Sequence, residues 1–424
     1  FGKGGADHYE LYGLCQPGGL ADVEDRGQRT EWTGHPDFDL RFPPSDLCPP
    51  NLIMRILLLT QWFQPEGAFK GLPFAKALRA KGHDVEVLTG FPNYPGGKIY
   101  PGYRVRLYQR EEMEGIRVHR VALYPSHDTS APHRILNYLS FAFSAFVIGP
   151  WTIRRPDVIY VYNLITLGPA AFLCRLLFGA KVVLDVQDLW PESVTNSRML
   201  TNKTALCILN KICNWVYGSA DQLAVLSPGF KKELVRRGLP AEKVEVIYNW
   251  FDEASIEVAR SPIDDTHAAM LGGAVKQGDF ADKFVVLFAG AMGLVQGLDT
   301  VLECAILCKS TLPDVQFVLV GGGVDKQRLQ KRAEEMALSN VTFLPPRPQS
   351  EMGEIYAMAD ALLVHLKDDP LFRITIPSKT QAYLYVGKLL IMALRGDAAD
   401  LVHKSGAGVV CAPEDAPGLL KAIE

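Results

Sequence analysis

A Pro-Ser-Lys-Thr run is the segment of this sequence whose residue types best suit an anion. Residues Pro377–Thr380 end a strand-like run and lead into an apolar helix. Lys379 then falls in the first helical turn, where a cation opposes the helix dipole, and such a position favours an anionic partner such as a phosphate. A solvated lysine at a helix start is the alternative interpretation.

A glycine-rich run offers a second anion site. Residues Gly290–Gly297 (GAMGLVQG) follow a buried strand, and we expect them to open a helix. The free backbone N–H groups of such a turn face an anion, and glycine lets the backbone approach it closely. The alternative is that the glycines serve only the packing of an α/β turn.

The same glycines do not make a dinucleotide site. That site needs a G-x-G-x-x-G run and an acid at the end of the second strand. The second strands end in Leu88–Gly90 and in Gly321–Gly323, and neither segment carries an acid. A nicotinamide-dependent dehydrogenase is therefore disfavoured.

Two acids and a tryptophan follow another buried strand. The segment Asp185–Glu192 (DVQDLWPE) leaves the carboxyl end of that strand, where α/β proteins place their sites. These side chains could orient a sugar by hydrogen bonds and stacking. Alternatively, Asp188 caps a helix and Trp190 fills the core.

The elements that must position these residues occur twice. Residues 55–90 and residues 284–323 each have the pattern of a strand, a glycine-bearing turn, a helix and a second strand. Short runs of Val, Leu and Ile that stop at Gly are typical of strands buried in a parallel sheet. We therefore predict an α/β protein with two facing Rossmann-like, doubly wound domains.

The domain boundaries follow from changes in composition. We predict a disordered or non-native extension over 1–53, an N-terminal Rossmann-like domain over 54–251, a linker over 252–282 and a C-terminal Rossmann-like domain over 283–424. A helix begins at Pro417 and stops at Glu424, so we expect the second domain to be truncated.

Charge and cysteine content exclude several functions. The net charge is −3, which gives no basic excess for nucleic acid. The eight cysteines include no C-x-x-C pair, so no zinc site is expected. Residues 1–53 lack the basic start and the apolar core of a secretory signal, so we expect a cytoplasmic protein.

The most apolar stretch is Ile135–Trp151. It is short for a bilayer span, and we expect Pro150 to break it. One interpretation is a helix buried in the first domain. The other is a helix on a membrane surface, with flanking bases such as Arg134 and Arg155 near anionic head groups.

At this point a family resemblance becomes specific. The segments that carry it are MRILLLTQWFQPEG, GFPNYPGGKIYPGY, VQDLWPES, LSPGFK, EVIYNW, GLDTVL, LLVHLKDDPLFRITIPSKTQAYL and GDAADLV. Over residues 54–413 the chain resembles the family 4 retaining glycosyltransferases of the GT-B fold. It is most similar to their fucosamine-transferase-like subgroup, which is associated with bacterial O-antigen and capsule synthesis.

The resemblance implies a nucleotide-sugar donor, most simply a UDP-sugar, bound mainly by the second domain without a metal or another cofactor. A saccharide acceptor, taken here as lipid-linked, would lie mostly on the first domain. The implied catalytic residues are Asp188, Lys379 and Arg373. The implied donor-binding residues are Gly67, Gly290, Gly293, Gly322, Phe343, Arg347, Pro377, Ser378 and Thr380. The implied acceptor-side residues are Asn163, Trp190 and Glu192.

Several positions depart from the family pattern. Ile374 and Ala382 stand where many members have two glutamates, and Leu294 stands where close relatives often have lysine. Gln187 replaces a histidine of the broader family. Two alternatives therefore remain open: a GT-B nucleotide-sugar epimerase, and a non-catalytic protein that binds sugar nucleotides.

Overall fold

The computed structural model describes residues 53–68, 70–126, 131–196, 202–251, 280 and 282–424. The predicted extension over 1–53, apart from Ile53, lies outside the described residues. So does the predicted linker over 252–282, apart from Phe280 and Asp282.

The first sheet has eight strands in the order β3-β4-β2-β1-β5-β6-β7-β8. The strands are β1 Arg55–Leu59, β2 Asp84–Gly90, β3 Tyr108–Met113, β4 Ile116–Val121, β5 Val158–Tyr162, β6 Lys181–Val186, β7 Gln222–Val225 and β8 Val244–Val246. β1 pairs in parallel with β2 and β5, whereas the edge strand β3 runs antiparallel to β4. The central strand β1 is apolar and buried after its first residue, as expected of a strand covered on both faces.

Six helices accompany this sheet. They are α1 Leu72–Ala80, α2 Ala131–Thr152, α3 Gly168–Phe178, α4 Glu192–Asn196, α5 Lys203–Ser219 and α6 Pro228–Arg236. Local signals set their ends. Ser227 caps α6 by accepting a hydrogen bond from the Phe230 N–H at 3.1 Å, and Gly179 ends α3 with a left-handed φ of 72°.

The second sheet is parallel and has six strands in the order β11-β10-β9-β12-β13-β14. The strands are β9 Phe284–Ala289, β10 Val315–Val320, β11 Val341–Leu344, β12 Ala361–His365, β13 Leu389–Ala393 and β14 Gly408–Cys411. The helices are α7 Asp299–Thr311, α8 Lys326–Glu335, α9 Met352–Ala357, α10 Pro370–Arg373, α11 Lys379–Val386, α12 Asp397–Ser405 and α13 Ala416–Ile423. A core of fully buried residues such as Phe288, Leu302 and Phe317 joins β9, β10 and α7.

The chain forms two compact units that alternate along the sequence. One contains the chain up to Glu66, Phe74–Val182 and Trp190–Ser219. The other contains Gly67–Pro73, Val183–Leu189 and Ala220–Glu424. Two short segments from the amino-terminal half thus belong to the same unit as the whole second sheet.

The structure confirms most of the predicted elements and corrects two. Both halves contain the predicted strand-turn-helix-strand order. The strand-like run expected before Pro377 is not a strand, because the short helix α10 occupies Pro370–Arg373. The expectation that Pro150 breaks its helix is wrong, because α2 continues through Pro150 to Thr152. The antiparallel β3–β4 pair had no prediction, since β3 (YQREEM) has four consecutive polar residues and no apolar strand pattern.

Candidate functional site

The glycine run after β9 lies against the end of β10. The Gly290 N–H donates to the Val320 carbonyl at 2.9 Å, and the Met292 N–H donates to the Gly322 carbonyl at 2.7 Å. Gly321 has a φ of +144°, and a Cβ there would lie 1.9 Å from the Gly290 carbonyl oxygen. Only glycine fits this contact, so the two turns hold each other in place.

The glycine run does not open α7 directly, contrary to our expectation. A short 3₁₀ turn, Leu294–Gln296, comes first, and the Gly293 N–H donates to the Gln296 side-chain oxygen at 2.9 Å. The Nδ1–H of His365 donates to the Gln296 carbonyl at 2.7 Å. Burial lowers the pKa of His365, so its ring is neutral at pH 7 and serves to fix the turn.

Lys379 is a cation that lies beside this turn. Its Nζ would lie 3.0 Å from a Cβ at Gly290, and it sits 3.6 Å from the centroid of the Phe288 ring. Burial lowers the pKa of Lys379 to about 7. Within the described ranges Lys379 forms no ion pair with a carboxylate. A half-buried ammonium beside backbone N–H groups and without an acid is suited to an anion.

The helix that carries Lys379 is fixed to β9 by one phenol. Tyr383, fully buried, accepts a hydrogen bond from the Ala289 N–H at 2.9 Å, and its OH lies 3.3 Å from the Ala289 carbonyl. Ser378 occupies the N-cap position of α11 but forms no side-chain cap hydrogen bond. Thr380 is buried, and its hydroxyl has no hydrogen-bond partner among the described residues.

The other predicted donor residues fall in different surroundings. Arg373 ends α10 and is bound at 2.9 Å by Asp368, so an acid already compensates its charge. Phe343 in β11 packs against the core of the second sheet. Arg347 lies 3.4 Å from Glu351. The structure therefore places Lys379, Gly290 and Gly322 at one end of the sheet but does not present Arg373 as an uncompensated cation.

A buried polar network in the same unit was missed by sequence reasoning. Lys70 and Asp185 form an ion pair, with 3% and 1% of their surfaces exposed. Gln187 donates to Asp185 at 2.6 Å, and Asn249 donates to Gln187 at 2.6 Å. The predicted sugar-binding role of Asp185 is therefore replaced by charge pairing. The sequence did offer one signal for this network, because Lys70 lies only three positions after the predicted donor residue Gly67.

The predicted acceptor-side residues lie at strand ends and turns. Asp188 follows β6, and its side chain is exposed at the surface. Nearby protein atoms still displace water around the carboxyl group, and this desolvation raises its pKa. The Trp190 N–H donates to the Tyr217 hydroxyl at 3.2 Å, while Glu192 begins α4. Asn163 follows β5 with a left-handed φ of 71°, and its side-chain oxygen is buried without a hydrogen-bond partner in the described chain.

No metal centre emerges from these side chains. In the part of the chain that the structure describes, no three His, Cys, Asp or Glu side chains are placed to hold a metal ion. The groups that can meet an anion are Lys379 and the start of α11. Contrary to our expectation of free N–H groups in the glycine turn, the Gly290, Met292 and Gly293 N–H groups already donate within the protein.

Sequence relatives identify the family of this chain. The Glycosyl transferase 4-like domain model matches residues 72–250, and the Glycosyl transferases group 1 model matches residues 274–424. The chain is 28% identical to WcaI of Escherichia coli (strain K12), which is named as a glycosyl transferase of colanic acid biosynthesis, over 79% of this chain and 82% of that protein. It is 25% identical to WbjE of Pseudomonas aeruginosa, named as a glycosyltransferase, over 59% and 61%.

Solved structures share the fold. Anabaena Alr3699/HepE in complex with UDP and glucose superimposes with a TM-score of 0.57 at 19% identity, over 87% of this chain and 89% of that one. The catalytic domain of starch synthase IV from Arabidopsis thaliana, bound to ADP and acarbose, gives 0.63 at 13% identity, over 88% and 91%. With two parallel-sheet α/β folds and two successive glycosyltransferase domains spanning most of its length, the chain belongs to the GT-B glycosyltransferases.

Proposed function

We propose that this glycosyltransferase moves a sugar from a UDP-sugar to a saccharide acceptor with retention of the anomeric configuration. The observation that carries the donor assignment is Lys379, a half-buried ammonium beside the glycine turn that pairs with no carboxylate in the described ranges. A nucleotide diphosphate supplies the anion that this position lacks. The UDP complex of the Anabaena relative supports the choice of base.

The reaction breaks the bond between the anomeric carbon and the diphosphate oxygen and forms a bond from the same carbon to an acceptor oxygen. The acceptor proton passes to the leaving phosphate. We propose that Lys379 and the start of α11 neutralise the charge that develops on this phosphate, without a metal. Asp188 is proposed to orient the acceptor.

The proposed pathway is bacterial envelope polysaccharide synthesis. The name of WcaI, which refers to colanic acid, supports it. We further propose a lipid-linked acceptor, as in O-antigen and capsule synthesis by the fucosamine-transferase-like subgroup. The enzyme would then work at the inner face of the bacterial cytoplasmic membrane.

The test is a calorimetric titration with UDP, GDP and ADP, first in EDTA and then with Mg²⁺. Saturable binding of UDP in EDTA is the expected result. Binding of GDP or ADP in preference to UDP would overturn the donor assignment, and binding that requires Mg²⁺ would overturn the metal-free site. Consumption of a UDP-sugar without any acceptor would instead indicate the epimerase.

A substitution at Asp188 tests the acceptor-side assignment. Asp188→Asn keeps the shape of the side chain but removes its charge, so we expect UDP affinity to stay unchanged while turnover falls. Product formation from a UDP-sugar is measured beside the UDP titration. An equal loss of affinity and turnover would show that Asp188 supports the structure.

A further inference from the structure

Three neighbouring helices of the first unit leave an unusual amount of apolar surface in solvent. On α2 the exposed residues are Leu136, Leu139, Phe143, Phe146, Val147 and Trp151. Their spacing of three and four residues places them on one face. Trp151 is 84% exposed and Phe143 is 69% exposed, whereas isolated exposed apolar residues are the ordinary case.

The exposed surface continues onto α3 and α5. α3 packs beside α2 and beside α5. It exposes Leu176 and Leu177, and α5 exposes Ile208, Ile212 and Trp215. The ring of Phe172 in α3 lies 5.4 Å from the ring of Trp215, so apolar contact runs from one helix to the next. We call these exposed residues of α2, α3 and α5 the three-helix face.

The charge of this region is one-sided. α2, α3 and α5 contain no Asp or Glu, although the chain as a whole has more acids than bases. Lys203 and Lys211 lie exposed on α5, and Arg155 lies exposed just beyond α2. A second copy of the same face would bring these bases against one another, whereas an anionic surface would complement them.

α2 is long and apolar enough to cross a membrane, yet its other side belongs to the core. Among the described residues, Pro132–Thr152 has the length and the composition of a membrane span. Phe141 and Ala145 are fully buried, and a Cβ at Gly149 would lie 2.7 Å from the Leu88 side chain. Crossing a bilayer would expose these residues and β2, so the helix must keep one side on the sheet.

From this geometry we propose that the three-helix face lies on an anionic lipid bilayer, with its apolar side chains among the acyl chains and its lysines at the head groups. The proposal depends on the proposed function only for the lipid-linked acceptor. The binding itself is independent of donor chemistry, because no residue of the donor site lies on these helices.

The experiment uses liposomes of phosphatidylcholine with and without phosphatidylglycerol. Trp151 and Trp215 are intrinsic reporters, since their emission shifts to the blue when they enter lipid. We expect co-sedimentation and this shift with the anionic vesicles at low salt and a loss of both at high salt. Absence of binding to anionic vesicles would overturn the proposal.

Matched variants locate the contact. Phe143→Glu with Trp151→Glu should lower the partition coefficient at least tenfold, whereas Val324→Glu, at an exposed apolar position of the other unit, should not change it. Lys203→Gln with Lys211→Gln should reduce the preference for anionic vesicles. Circular dichroism and UDP titration confirm that each variant is folded and keeps its donor site.

Two outcomes would redirect the assignment. A concentration-dependent dimer in the absence of lipid that the glutamate variants dissociate would show that a second copy covers the face. Equal binding by wild type and by the Phe143→Glu, Trp151→Glu variant would place the membrane contact elsewhere.

Discussion

Two lysines of the same unit are removed from solvent, and they differ in what accompanies them. Lys70 is almost fully buried and has the Asp185 carboxylate, which Gln187 supports. Lys379 is half-buried and has an aromatic ring and a glycine turn, but it forms no ion pair with an acid in the described residues. The first charge is neutralised within the protein, and the second is left for a ligand.

The contrast teaches how a structural ion pair differs from a binding cation. A buried pair contributes little net stability, yet removing one partner is costly because the other charge stays behind. An unpaired ammonium gives up its proton readily, as the lowered pKa of Lys379 indicates. The following changes test the contrast from the largest effect to the smallest.

Asp185→Asn replaces the carboxylate beside the buried Lys70 ammonium by a neutral amide. The charge of Lys70 then loses its paired acid, so we expect the free energy of unfolding to fall by about 3–5 kcal/mol. Urea denaturation measures it. The control is Asp314→Asn, which breaks an exposed pair with Lys283 and should cost at most about 1 kcal/mol. Equal losses of unfolding free energy in the two variants would mean that the burial of Lys70 and Asp185 does not determine the cost.

Gly321→Ala pushes the turn after β10 away from the glycine turn after β9, and so displaces the backbone beside Lys379. The added Cβ meets the Gly290 carbonyl oxygen, and the φ of +144° is itself strained for alanine. We expect a loss of stability of at least about 1–3 kcal/mol together with weaker UDP binding. Gly406→Ala is the control, because its φ is also positive but nothing lies within 4 Å of the new Cβ.

Lys379→Met removes the unpaired cation and keeps the apolar stem. We expect UDP binding to weaken by about 1–3 kcal/mol, the scale of a hydrogen bond to a charged group. Calorimetry measures it beside Lys404→Met, at an exposed lysine near the end of α12. Unchanged UDP affinity in Lys379→Met would remove this residue from the donor site.

The same variant has a pH signature. The folded pKa of Lys379 is about 7, below its ordinary value of 10.5, so the unfolded chain binds the extra proton between these values. The contribution of Lys379 to the free energy of unfolding should therefore rise with pH from about 7 to about 10.5. Denaturation of the ligand-free protein across this range should show a smaller rise in Lys379→Met than in wild type.

Leu294→Lys adds a second cation at the turn. Leu294 is 60% exposed, so the new charge would be screened by solvent. We expect UDP affinity to increase by only about 0.2–1 kcal/mol, with the gain disappearing at high salt. Leu294→Gln provides the uncharged control. A gain that persists at high salt would indicate a direct hydrogen bond.

The fold was largely predictable because parallel strands carry a strong local signal. The strand, turn, helix and strand of residues 55–90 and of residues 284–323 were identified, and the two-sheet α/β architecture followed from this repetition. The edge pair β3–β4 was missed because β3 is mostly polar and resembles a surface loop. Pro150 was misjudged because the packing of α2 on the first sheet outweighs the cost of one proline.

The site was predictable only where the residue type implies a role. Lys379 and Gly290 come together as their residue types suggested, because a lysine at a helix start and a glycine in a turn have few uses. The pairing of Lys70 with Asp185 could not be read, since the two residues are far apart in sequence and only the fold joins them. The pairing of Asp368 with Arg373 was also missed, although these two residues are close in sequence.

The link between Tyr383 and Ala289 has a consequence for the thermodynamics of binding. Because one buried phenol joins the helix that carries Lys379 to the strand that leads into the glycine turn, the cation and the backbone donors move as one body. A diphosphate would meet a pre-organised cradle and would not have to order it, so little conformational entropy is lost on binding. Tyr383→Phe should therefore make the entropy of UDP binding less favourable while leaving the anion contacts themselves in place.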